Sequence, residues 1–128
     1  MEPADPNQEV VQFIVEHLDT VPHLEALLLI WQNPTTHWTA PILASRVYVS
    51  TQVAQQVLDD FKLKGIVRTA AAAEDTYVYR PEWDDGGRIP KVAELYRRQL
   101  VQVTKLIHSK GSSSVREFAR AFQIKKDH

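Results

Sequence analysis

Residues 40–80 read APILASRVYVSTQVAQQVLDDFKLKGIVRTAAAAEDTYVYR, and the order of caps, breakers and periodic apolar positions in this stretch decides the fold. Thr39 stands before Ala40-Pro41, the pattern of an N-cap followed by a first-turn proline, where the missing N–H has no helical partner to lose. A short helix follows through Ile42 and Leu43 to about Val47. Tyr48-Val49 makes a brief connection, and Ser50 is placed to cap a longer helix from Thr51 to Lys64. Within that helix Ala54, Val57, Leu58 and Phe61 recur at helical spacing and form the inward face. Gly65 ends it as a left-handed C-cap. Residues 66–69 (IVRT) and 76–80 (TYVYR) are β-branched and aromatic, and the short AAAAED between them makes an antiparallel hairpin the natural reading. That connection lacks a Gly or Asn turn signal, and alanines alone favour helix.

Outward from this centre the pattern is helical. Residues 1–7 are polar with two prolines and read as a frayed end. From Gln8 to about Asp19, Val10, Ile14 and Leu18 make a stripe with Val11 and Val15 alongside. Pro22 sits in the first turn of a second helix carrying Leu24, Leu27, Leu28 and Trp31, and Asn33-Pro34 stops it. On the C-terminal side, residues 81–90 (PEWDDGGRIP) hold two glycines and two prolines and read as a linker. A long helix over about 91–109 follows, with Val92, Tyr96, Leu100, Val103 and Ile107 as its stripe and Leu95, Val101 and Leu106 widening it. It would span roughly 30 Å. Ser114 and Glu117 fit a capping box opening a last short helix with Val115, Phe118, Ala119 and Phe122 inward.

The organisation expected is therefore an N-terminal tail and helix (1–21), a central domain (22–80), a linker (81–90) and C-terminal helices (91–128) that either seal the core or build a dimer. The fold class is mainly α with a small β-hairpin, a core of helices and hairpin over 22–80 with extra helices at both ends.

Composition narrows function by exclusion. The 128 residues contain no cysteine, so no disulfide, thiolate metal site or cysteine nucleophile exists. The longest apolar run, residues 26–31, is too short to cross a bilayer, and the acidic, proline-bearing start lacks the chemistry of a secretory signal. A cytoplasmic protein without a membrane partner is expected. The net charge of −1 conceals a division: residues 1–37 sum to −6, residues 38–80 to +1 and residues 81–128 to +4. An acidic head and a basic tail point to an anionic partner or to self-association.

Residues 40–80 resemble the winged helix-turn-helix family, which includes MarR-like and GntR-like regulators. Ile42-Leu43-Ala44, Val49-Ser50, the run from Val53 to Phe61 and Lys64-Gly65-Ile66-Val67-Arg68 carry the likeness, which covers about residues 22–80. It implies a transcriptional regulator that binds double-stranded DNA through its second motif helix, with extra helices building a homodimer. Ser50, Thr51, Gln52, Gln55 and Gln56 would face base edges, since Gln pairs bidentately with adenine. Arg46, Arg68 and Arg80 would hold phosphates, with Lys62 and Lys64 at the far end. Against this, the wing carries Glu74 and Asp75 with no cation at its tip, and Asp59 and Asp60 lie on or beside the reading helix. Those acids support the alternative of a winged-helix protein-interaction module without DNA binding.

No catalytic constellation emerges. The five histidines form no ligand pair at helical spacing, and Asp84-Asp85-Gly86-Gly87 lacks the other oxygen ligands of a cation loop. There is no phosphate-binding glycine loop or nucleophile elbow, and residues 112–114 (SSS) read as a turn and cap. Trp31, Trp38 and Trp83 read as core or edge packing. The expectation is a non-enzyme with no cofactor and no metal.

Overall fold

The computed structural model describes residues 6–110, in the order α1 (Pro6–His17), α2 (Val21–Gln32), α3 (Ala40–Val47), α4 (Thr51–Lys64), β1 (Val67–Ala70), β2 (Ala73–Tyr79), a single 3₁₀ turn (Pro81–Asp84), α5 (Arg88–Arg98) and α6 (Leu100–Lys110). This is the mainly α architecture with a small two-stranded antiparallel hairpin that the sequence leads one to expect. The capping box at Ser114 and the last helix through Phe122 lie outside the described residues. The described residues form two compact units, one of residues 22–90 and the other of residues 6–21 with 91–110. No helix among the described residues is long and apolar enough to cross a membrane.

In the unit of residues 22–90, local chemistry sets each boundary. The Thr39 hydroxyl accepts from the Ile42 N–H at 3.4 Å, and Pro41 lies in the first turn of α3. The Ser50 hydroxyl accepts from the Val53 N–H at 3.1 Å and starts α4. Gly65, at φ +80°, ends α4 and donates its N–H to the Lys62 carbonyl. Ala54, Val57, Leu58 and Phe61 are all buried, the inward face anticipated for this helix. On α2 the buried set is His23, Leu24, Ala26, Leu27 and Ile30, with Leu28 and Trp31 only half-buried. The helix is apolar over most of its surface, so its periodicity specified the core face poorly.

The hairpin extends further into the alanines than the sequence indicates. Val67 pairs with Tyr79, Arg68 with Val78 and Thr69 with Tyr77, and the register then shifts so that Ala70 pairs with Ala73. Ala71 and Ala72 make the turn. Tyr48 alone among described non-glycine residues has a positive φ, so neither turn alanine adopts the left-handed geometry that suits a tight hairpin. The register shift absorbs that mismatch in twist. A further pairing was not visible in the sequence: Trp38 and Tyr77 exchange backbone hydrogen bonds of 2.8 and 2.7 Å, which anchors the segment before α3 to the outer edge of β2. Trp38 is fully buried there.

Residues 81–90 form ordered structure where their composition suggests a linker. Both carboxylate oxygens of Asp84 are used to start α5, accepting from the Arg88 N–H at 2.8 Å and the Ile89 N–H at 2.9 Å. Ile89 is fully buried. Glycines and prolines there serve a capped turn, with Gly87 at φ +66° and Pro90 in the first turn of α5.

In the other unit α1 contacts α6. Val10, Phe13, Ile14 and Leu18 are buried while Val15 is 41% exposed, so the apolar face runs through Phe13 rather than Val15. The long C-terminal helix is divided at Gln99 without a proline or glycine, and Gln99 N–H to Leu95 carbonyl and Val103 N–H to Gln99 carbonyl bonds bridge the division. Val92, Leu95, Val103 and Ile107 are buried. The helical phase joining Val92 to Val103 passes through half-buried Gln99, which leaves Leu100 and Val101 exposed.

Candidate nucleic-acid interface

The α3–turn–α4 segment places most of the sequence-derived contact residues on one stretch of surface. Arg46 lies in the last turn of α3 and is exposed, its guanidinium carbon 5.9 Å from the centre of the Trp38 ring. Cation–π attraction from that ring orients the guanidinium while leaving its edge in solvent. Ser50, Thr51, Gln52 and Gln56 are exposed, opposite the buried Ala54–Phe61 face. From residue 26 to residue 58 the chain contains no Asp or Glu, and Arg46 is its only Lys or Arg. The N-terminal half of α4 therefore adds its positive helix-dipole end to a stretch of chain that carries no acid before Asp59.

Gln55 differs from its neighbours. Its side-chain amide donates to the Tyr77 hydroxyl at 3.0 Å and to the Asp59 carboxylate at 2.9 Å, and Tyr77 lies 3.4 Å from the same Asp59 oxygen. These bonds fasten α4 to β2. Gln55 is half-buried and its amide protons are engaged within the domain. Tyr77→Phe should remove one part-buried hydrogen-bonding hydroxyl and lower stability by about 1 kcal/mol, measured by chemical denaturation, with no change in secondary structure by circular dichroism.

The two acids that count against an anionic partner each hold a hydrogen bond within the domain, with Asp59 exposed and Asp60 half-buried. Asp59 accepts from Gln55 as above. Asp60 lies 2.8 Å from Nε2 of His23, a histidine only 6% exposed on α2. The pair ties α2 to α4 within the same unit, and the His23 ring meets Phe61 edge-on at 5.8 Å between centroids.

Arg68 and Arg80 lie elsewhere. Both are at the hairpin end of α4, away from Ser50 by most of a 14-residue helix, which is about 20 Å. Arg68 is exposed on β1. Arg80 is half-buried, its Nε 2.9 Å from Glu82. A hydrogen bond from its own backbone N–H, and next the Arg80 side chain, hold the Glu82 carboxyl below the usual carboxylate range. Burial, then the nearby Asp84 and Glu82 charges, push the Tyr79 phenol up. Glu74 and Asp75 are exposed on β2 beside the turn.

The geometry thus gathers Arg46, Ser50, Thr51, Gln52 and Gln56, turns Gln55 inward and leaves Arg68 and Arg80 as a separate pair. No protein-family model, curated protein or solved structure matches this chain. Tyr48, which the sequence offered only as a connector, stands within the gathered set with its side chain 91% exposed. Its signal in the sequence was a large aromatic at a turn position that favours glycine.

Proposed function

We propose that the protein is a cytoplasmic transcriptional regulator of the winged helix-turn-helix kind, which acts by binding double-stranded DNA and not by catalysis. The observation that carries this reading is the polar N-terminal part of α4, where Thr51, Gln52 and Gln56 stand exposed behind the Ser50 cap and opposite a completely buried face, with exposed Asp59 beginning the acidic part of the helix beyond them. A helix enters the major groove only if one face is free along its length, and Thr and Gln offer the donors and acceptors that base edges require. In this reading Thr51, Gln52 and Gln56 meet bases, Arg46 and Ser50 meet phosphate, and Arg68 reaches the backbone from the wing. Gln55 supports the helix through Tyr77, and Arg80 needs release from Glu82 before it can reach a phosphate.

The protein acts as a homodimer in the same reading, since two reading helices on one symmetric site raise both affinity and selectivity. Exposed Leu100 and Val101 border an open groove of about 720 Å³ lined also by Arg97, Arg98 and Lys105, a surface suited to a second copy. Selection of duplexes from a randomised pool by the purified protein tests the DNA reading. Enrichment of a shared sequence is expected, whereas recovery of an unchanged pool would remove it. Exposed Glu74 and Asp75 on the wing favour a second reading, a protein-interaction module. A stoichiometric protein partner recovered with no duplex retention would decide for that one.

A further inference from the structure

Tyr48 is held in a conformation that costs the fold and gives it nothing visible in return. Its backbone is left-handed, at φ 61° and ψ 47°, and it is the one described non-glycine residue with a positive φ. That region brings Cβ against the following carbonyl, so glycine occupies it freely and an aromatic residue does not. The turn itself is made by backbone groups. The Tyr48 N–H donates to the Ala44 carbonyl, and the Val49 N–H reaches the same oxygen at 3.1 Å. Any residue supplies those donors. At 91% exposure the phenol ring buries almost no apolar surface that could offset the strain. A strained, solvent-facing aromatic points to a use outside the chain.

The surroundings identify the partner chemistry. Exposed Arg46 lies two residues before Tyr48, and exposed Ser50 and Thr51 lie two and three residues after it, at the positive end of the 14-residue α4. No Asp or Glu occurs between residues 26 and 58. We propose that Tyr48 is a DNA-contacting residue whose phenol hydroxyl donates a hydrogen bond to a backbone phosphate oxygen, beside the groove that α4 enters. This assignment rests on the DNA-binding reading above. It makes Tyr48 a positioning contact that sets how α4 enters the groove, without itself reading sequence.

Strain at the turn and loss of the contact have opposite signs, which makes the test specific. The full chain and its Tyr48→Gly, Tyr48→Asn and Tyr48→Phe variants are melted and titrated against a fluorescein-labelled duplex of random sequence and a duplex enriched by wild type. Gly and Asn both accept the left-handed backbone, so each should raise Tm, by about 3 °C. Each should also weaken both duplexes about tenfold, because a hydrogen bond to a charged phosphate is lost regardless of sequence. Tyr48→Phe should melt with wild type and show the same loss of affinity. If wild type binds duplex and all three variants bind as tightly, the Tyr48 contact is overturned while the DNA reading stands. If wild type binds no duplex, both fall. Loss of a co-purified protein with duplex affinity intact would assign Tyr48 to a protein partner and overturn the contact to phosphate.

Discussion

Phe61→Ala should destabilise the protein by about 3–5 kcal/mol, read as a fall in the urea midpoint at unchanged slope. Phe61 is fully buried on the inner face of α4 and holds two kinds of structure together. Its ring packs edge-on against His23 of α2, so truncation opens a cavity between two helices. Its backbone carbonyl also accepts the Ile66 N–H at 2.9 Å, a bond that the alanine keeps, so the loss measures the side chain alone. Natural domains are stable by only about 5–15 kcal/mol, so one such cavity removes a large share of the total. Leu63 is the matched control. It lies on the same helix at 86% exposure, and Leu63→Ala should change stability by less than about 0.5 kcal/mol. Equal losses at both positions would mean that α4 does not present the face described.

Gln52→Ala combined with Gln56→Ala should erase sequence selectivity and leave the fold intact. The two side chains stand four residues apart on one exposed face of α4, and their amides are free to pair with bases. A bidentate side-chain–base pair contributes about 1–3 kcal/mol of discrimination, so losing two should reduce the preference for an enriched duplex over a scrambled one by roughly 30-fold or more. Non-specific affinity, which comes from phosphates, should change little. Competition titration against both duplexes reads the two quantities separately. Gln55→Ala should act differently, because its amide already serves Tyr77 and Asp59: melting temperature falls and the preferred base at each position stays the same.

Much of the fold was legible because the chain announces its boundaries with local chemistry. Thr39, Ser50 and Gly65 each cap an end of a helix by a mechanism that acts within a few residues, and the structure uses each as its type requires. The inner face of α4 was equally plain, since Ala54, Val57, Leu58 and Phe61 recur at helical spacing among Gln, Asp and Lys. Elsewhere the determinants are tertiary. Nothing in the spacing of α2 distinguishes Ile30 from Trp31, because both end an unbroken apolar run from Ala26 to Trp31. Asp84 looks like part of a glycine-rich linker until its two oxygens are seen on the N–H groups of Arg88 and Ile89. The Trp38–Tyr77 pairing joins residues 39 apart and leaves no sequence periodicity to read.

The candidate site divides in the same way. Exposure of Thr51, Gln52 and Gln56 follows from helical phase alone. The withdrawal of Gln55 depends on where β2 brings the Tyr77 hydroxyl, and the His23–Asp60 contact depends on the approach of α2 to α4. Tyr48 was missed because a connector between two caps carries no periodic signal, although an aromatic at that turn was itself the anomaly.

The central claim is that α4 and the turn before it bind duplex DNA. Fluorescence anisotropy of an enriched duplex, titrated with the full chain across a series of salt concentrations, tests it most directly. Affinity should fall log-linearly with salt at a slope of about −0.9 for each phosphate neutralised, and the unlabelled enriched duplex should compete better than a scrambled one. Absence of binding to any duplex at low salt would contradict the claim.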